Sequence, residues 1–329
     1  MQRGRPLSPP ENVTDPIDRS QPLPDDLLPI ADEYDAVVGI RDRSLWQWLY
    51  HVFPAFRLSC VDEDRRRTTR EMKLLLSVYV TLTDDVAERH GDRATFDELA
   101  TIPFERSRVD PERPAVDGDV IRFARRLWNR FRTLYDRCPR SDELDRLLRF
   151  DLRQVLRAIE YSSLLERQPA LLSTRELWEH DVHNMVVFCY ADVDLAAGRP
   201  FETSDLATLR DLCAHTQRMA RIGNWIASWE RELHDGDCSS GVVARALETG
   251  VITRGDIRAI QREPTAETVG PIVDAIDDSS VETALLERWY AEYDAASRIV
   301  PSLESVDGAS YLDGFETILR SHLAVRGEV

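Results

Sequence analysis

The chain has 329 residues, 43% of them hydrophobic, enough to bury the core of one large domain or two small ones. Its 59 acids outnumber its 42 bases, a net charge of −17 with a pI of about 4.9, which argues against nucleic acid as a partner because phosphate binding needs a basic face. No apolar run approaches the ~18 residues that span a bilayer, and no signal-peptide pattern opens the sequence, so neither membrane insertion nor secretion is expected.

Seven of the 17 prolines fall in the first 29 residues, mixed with Asp, Ser and Asn. Residues 1–31 therefore read as a disordered or extended arm, and 32–329 as one folded domain. Helical periodicity dominates from there, with few glycines and almost no strand-like alternation. The pattern predicts helices over 44–56, 71–88, 119–135, 141–166, 174–197, 204–234, 281–300 and 309–325, an all-α bundle. In 141–166, Leu144, Leu148, Val155 and Ile159 form one apolar stripe, and Asp142 and Glu143 crowd its start as the helix dipole favours.

The helix over 71–88 is apolar nearly all round from Leu74 to Leu82, as a buried helix should be. It nevertheless ends in Asp84, Asp85 and Glu88, just before Gly91. Carboxylates there oppose the macrodipole and repel one another. A bound cation resolves both conflicts; emergence of the helix end into solvent is the alternative.

In 204–234 an apolar stripe of Leu209, Cys213, Thr216 and Ala220 runs on at helical spacing through Asn224, Ala227 and Ser228. Glu232 follows on the same face. An unpaired inward amide or hydroxyl costs roughly 1–3 kcal/mol, so something polar must face these groups. Amide, hydroxyl and carboxylate oxygens suit Mg2+, and a hydrogen-bond network is the alternative.

Cysteines at 60, 138, 189, 213 and 238 are odd in number and scattered, reading as reduced thiols of a cytoplasmic protein. Lys73 is the only lysine. The Asp-rich, Lys-poor composition suits a saline cytoplasm, and a GC-rich genome produces the same bias.

Together the two polar stretches resemble the metal-binding motifs of class I terpene synthases of the bacterial and archaeal type. The DDxx(D/E) motif is Asp84-Asp85-Val86-Ala87-Glu88, and the Nxxx(S/T)xx(K/R)E motif is Asn224-Trp225-Ile226-Ala227-Ser228-Trp229-Glu230-Arg231-Glu232, 140 residues downstream. The resemblance implies a single helical domain around a central apolar cavity. It implies a trio of Mg2+ ions, for which Mn2+ substitutes, held by Asp84, Asp85 and Glu88 on one side and Asn224, Ser228 and Glu232 on the other. A linear isoprenyl diphosphate, farnesyl or geranylgeranyl, is then ionised and cyclised with release of pyrophosphate, and a homodimer is compatible with it. Arg231 would donate to the diphosphate, its alternative being a surface ion pair. Tyr79, Phe188, Tyr190, Trp225 and Trp289 read either as cavity aromatics that stabilise carbocations or as ordinary core.

Two features of that family are missing. Its diphosphate-sensing arginine would fall near Trp178, which stands 46 residues before Asn224, and Asp181 sits where a local alignment wants arginine. Arg175 is the nearest substitute. The usual C-terminal Arg-Tyr pair is also lacking: the chain ends "SHLAVRGEV" after Tyr311. Chain-elongating prenyltransferases share the fold but carry two aspartate-rich motifs. His180, Asp181 and His183, with His90, loosely match an HD-type phosphohydrolase, and a helical protein that has lost its chemistry is a third alternative.

Overall fold

The computed structural model describes residues 15–18, 21–88, 90–324 and 326, and among them every regular element is a helix. Helix α1 (Leu28–Val37) leads to α2 (Arg43–Val52), whose first turn is capped by Asp42 accepting from the Ser44 amide. A 3-10 turn, Phe53–Phe56, precedes α3 (Arg66–Ala87). Next come α4 (Arg93–Glu105), α5 (Gly118–Tyr135) and α6 (Ser141–Arg167). Beyond them lie α7 (Thr174–Glu179), α8 (Val187–Ala197) and α9 (Leu206–His234). Then α10 (Gly241–Thr249), α11 (Arg254–Arg262), α12 (Ala266–Asp277), α13 (Val281–Ile299) and α14 (Gly308–Ala324) complete the chain. None of these helices is long and apolar enough to cross a membrane.

Helix α3 is the centre of one half, buried without interruption from Met72 to Val80 and packed on α2, α4, α5, α6 and α8. Helix α9 is the centre of the other, packed on α8, α10, α13 and α14. The two meet across α8, which is buried on nearly every side. Lys73 on α3 reaches Asp194 on α8 at 2.7 Å, both side chains 1% exposed, so the single lysine is an interior tie between elements. Helix α14 docks on the Phe53–Phe56 turn through Gly314, where a Cβ would come within 1.9 Å of the Ala55 carbonyl oxygen. No other residue type allows that approach. All five cysteines are buried and unpaired.

Two expectations need correction. Residues 1–14, 19 and 20 of the expected arm lie outside the described residues, but its end is ordered: α1 begins at Leu28, and Leu23, Leu27, Ile30 and Ala31 are buried. Spaced apolar residues among the prolines find the core. The helix expected over 174–197 is broken into α7, a 3-10 turn (Asp181–Met185) and α8. The break falls at Val186, held at φ 61°. A β-branched residue rarely adopts this left-handed conformation, and such strain costs on the order of 1–3 kcal/mol and gathers at functional sites.

Candidate active site

A cavity of about 970 Å3 lies between α2, α3, α8, α9 and α14. One part is lined by adjoining rings: Phe53 and Phe56 lie 5.2 and 5.9 Å from Tyr190, and Phe315 lies 5.4 Å from Phe56. Tyr190 also exchanges a 2.7 Å hydrogen bond with Ser77. It is the one aromatic of the five expected that lines the cavity. Tyr79 instead donates to the Leu99 carbonyl and packs on Trp128. Phe188 lies under Arg210, Trp225 packs against Trp178 and Gly241, and Trp289 stacks on Tyr293. For these four, core packing is the observed role. Helical spacing identifies a buried face; which neighbour that face meets is decided by tertiary packing.

The polar end of the cavity begins on the last turn of α3. Asp84 and Glu88 both line it, and Asp84 accepts a long 3.4 Å hydrogen bond from Asn184. Burial pushes the Asp84 carboxyl up to about 6, against the opposing pull of Arg41. Glu88 is raised well above the usual range by burial and by the neighbouring charges of Asp84, Asp237, Glu166 and Asp181. Asp85 faces the other way: fully buried, it accepts from Arg41 Nε at 2.8 Å, from Arg41 Nη2 at 2.6 Å and from the Tyr34 hydroxyl. Its oxygens are committed to Arg41 and α1, so the structure does not bring it to the cavity with Asp84.

Helix α9 supplies the opposite wall. Asn224, Arg231 and Glu232 line the cavity. Ser228 lies behind them, donating to the Asn224 carbonyl at 2.8 Å, and its neighbouring hydroxyl slightly opposes the rise of the Glu232 carboxyl. Burial raises Glu232 to about 7, with Asp237 adding to the rise and Arg221 opposing it. Arg231 pairs with Asp235 at 3.1 Å and stands 3.8 Å from Glu232.

Several residues of this end escaped the sequence reading. Asp235 and Asp237 sit in the turn after α9, Glu166 ends α6, and Arg41 precedes α2. Arg221 is the most informative of them. Its Nε and Nη2 grip Asp181 at 2.6 and 2.7 Å, and its Nη1 donates to Asn224 Oδ1 at 2.6 Å. The signal was present, since Arg221 lies three residues before Asn224 on the same helical face. Arg175, the substitute offered for the missing arginine, is 80% exposed, pairs with Glu176 and does not line the cavity. Tyr311 is buried against Cys213, also away from it. The HD-type reading loses its parts as well. Asp181 is held by Arg221, His183 meets Gln217, and His180 lies on the exposed side near Glu176.

The residues present fit a hard divalent cation. Asp84, Glu88 and Glu232 are carboxyl groups raised by burial and by the acids around them, and a hard cation would favour their ionised form. No three of them converge as a closed cage. Among the described residues the one such trio is Glu230, Asp277 and Glu282, and Arg326 fills it. Open oxygen sets that share their ion with waters and phosphate are the usual habit of Mg2+.

No protein-family model matches the chain, and no curated protein does. Solved structures do match. Linalool/nerolidol synthase from Streptomyces clavuligerus aligns over 96% of this chain and 97% of its own, at 14% identity and a TM-score of 0.55. The 2-methylisoborneol synthase from Streptomyces coelicolor A3(2), in complex with Mg2+ and geranyl-S-thiolodiphosphate, aligns over 97% of both chains at 13% identity and a TM-score of 0.56. A cucumene synthase variant aligns over 91% of this chain and 92% of its own, at 14% identity and a TM-score of 0.51. The fold is therefore that of the bacterial class I terpene synthases, over nearly the full length.

Proposed function

We propose that the protein is a Mg2+-dependent terpene cyclase that ionises a linear C15 or C20 isoprenyl diphosphate, cyclises the carbocation and releases pyrophosphate. What carries this reading is one arrangement: Asp84 and Glu88 at the end of α3 and Asn224 and Glu232 on α9 border the same cavity, whose lining also includes the aromatic rings of Phe53, Phe56, Tyr190 and Phe315. The two chemistries, one for an anion with its metal and one for a hydrocarbon, adjoin as an isoprenyl diphosphate requires. A volume of about 970 Å3 is at the upper end for small-molecule sites and leaves room for a folded chain.

Asp84 with Glu88, and Asn224 with Glu232, would hold Mg2+, Ser228 bracing the second pair. Bound there, the metal supplies positive charge to the diphosphate oxygens as the C–O bond breaks. The electron pair of that bond leaves with pyrophosphate. Arg231 donates to the departing anion. Tyr190, Phe53 and Phe56 stabilise the allylic cation through their rings and keep water from it. Asp85 contributes by holding Arg41 at the polar end, and a ligand role for it is not retained.

Incubation with C10, C15 and C20 diphosphates singly, with Mg2+, tests the reading through pyrophosphate release and mass spectrometry of the extracted hydrocarbon. A cyclic product from farnesyl or geranylgeranyl diphosphate is expected. Absence of pyrophosphate with all of them ends the proposal. Longer diphosphates formed on adding isopentenyl diphosphate would replace it with chain elongation.

A further inference from the structure

The guanidinium of Arg221 occupies an unusual position for a structural ion pair. It is 12% exposed, lines the cavity and stands among groups from two walls. Two of its nitrogens face Asp181 side-on, the third faces Asn224, and the Trp225 ring lies 5.4 Å from its carbon. Three of five N–H donors are thereby used among the described residues. The rest of the fork remains on a planar group that cannot rotate without breaking the Asp181 pair.

Electrostatics give the same placement. Burial works against the charge of Arg221, and the neighbouring acids, Asp181 first and then Glu232 and Asp84, together more than offset this. One of those two acids belongs to α9 and the other to α3, so the positive charge stands between the two acidic walls. Asp181 itself comes from the 3-10 turn that ends at the strained Val186. That turn is where the sequence carries a carboxylate in place of an expected arginine. The charges are exchanged between elements: the carboxylate is on the turn and the guanidinium on α9.

We propose that Arg221 is a second diphosphate-binding arginine of this site, beside Arg231, presented from α9 and locked in orientation by Asp181. On entry of the anion, Nη1 leaves Asn224 Oδ1 and donates to a phosphate oxygen, while Nε and Nη2 stay on Asp181. Asn224 Oδ1 is freed in the same movement, so anion binding and cation binding on the α9 wall reinforce one another. Asp181 acts as a positioning residue, through Arg221 alone. This assignment rests on the terpene cyclase reading for its substrate, but the interaction with pyrophosphate can be measured without turnover.

The test is calorimetric titration of inorganic pyrophosphate, with and without Mg2+, into the full chain and its variants. Arg221→Gln strands a buried carboxylate and risks misfolding, so the deciding variant is Arg221→Gln with Asp181→Asn, which removes both charges and keeps the shape. We expect it to lose about 10- to 100-fold in pyrophosphate affinity with unchanged circular dichroism. Mg2+ and pyrophosphate should also cease to strengthen one another's binding. Asp181→Asn alone should weaken pyrophosphate about 3- to 10-fold, with Asp181→Glu restoring it and Mg2+ affinity without pyrophosphate unmoved. The reciprocal exchange, Asp181→Arg with Arg221→Asp, should recover most of the loss. Wild-type affinity in the neutral double variant overturns the assignment, as does a wild-type chain with no affinity for Mg2+ and pyrophosphate. Arg221-dependent pyrophosphate binding in a protein that turns over no isoprenyl diphosphate would remove the cyclase reading and leave this one standing.

Discussion

A helix places successive side chains about 100° apart, so the neighbours Asp84 and Asp85 cannot share a direction. Asp84 faces the cavity, and Asp85 is buried with Arg41 and Tyr34 on its oxygens. Their substitutions should separate cleanly. Asp84→Ala should cut pyrophosphate release by about 10²- to 10³-fold with little change in melting temperature. Asp85→Asn should act mainly on stability, costing about 1–3 kcal/mol in urea unfolding because the half-buried Arg41 then keeps only Asp84, 3.6 Å away, as a counter-charge. A strong catalytic effect of Asp85→Asn in a stable protein would reverse the assignment. On α9 the alignment of Asn224, Ser228 and Glu232 was legible from helical geometry alone, because steps of four keep one face. What the same geometry could not tell is that Ser228 braces the wall while Asn224 and Glu232 line it.

Between elements, the Lys73–Asp194 pair ties α3 to α8 behind the aromatic cluster, with Lys73 Nζ 5.1 Å from the Phe56 ring. Burial lowers the pKa of Lys73 and raises that of Asp194, and each partner opposes the other's shift. Removing one charge strands the other, so Lys73→Met should cost about 3–5 kcal/mol in urea unfolding. Lys73→Met with Asp194→Asn should regain more than half of it, since the asparagine still accepts from the Leu58 amide. Equal losses in the single and double variants would mean that packing, not charge, is what the pair supplies. The long amphipathic helices α3, α5, α6 and α9 were legible because one periodicity persists for several turns. Helices α4, α10, α11 and α12 were not, being short, with Pro103 and Pro271 inside two of them and glycines opening or interrupting three. The break at Val186 left no trace either, for neither glycine nor proline marks it. It is held by long-range partners, Asp181 on Arg221 and Asn184 on Asp84, which local sequence cannot display.

At the scale of the whole molecule, the excess of acid reaches into the cavity and makes stability depend on pH in a definite sense. Asp84 rises from 3.8 to about 6 and Glu232 from 4.5 to about 7, with burial the leading cause in each. Between about pH 4 and 7 the folded protein therefore holds more protons than the unfolded chain, and its stability falls as pH rises. Glu88, raised in the same direction by burial and by Asp84, adds to the decline. Glu143 and Asp205 are held low by hydrogen bonds to Arg140 and to the Ser305 amide, so their contribution changes only below the ordinary carboxylate range. Without metal, the unfolding free energy should fall from about pH 5 to pH 8, by on the order of 3 kcal/mol from the mouth, and the melting temperature with it. Asp192 shifts in the same direction, but its partners are Asp151 and Arg210, and it does not line the cavity. Mg2+ separates the two contributions. Its ligands must be ionised, so the stabilisation it confers should be small near pH 5 and grow toward pH 8. In Asp84→Asn with Glu232→Gln, the slope due to those two groups and the Mg2+ response should disappear, while the parts due to Glu88 and Asp192 persist. A Mg2+ response that is flat across this range, or unchanged in that double variant, would place the metal somewhere other than between α3 and α9.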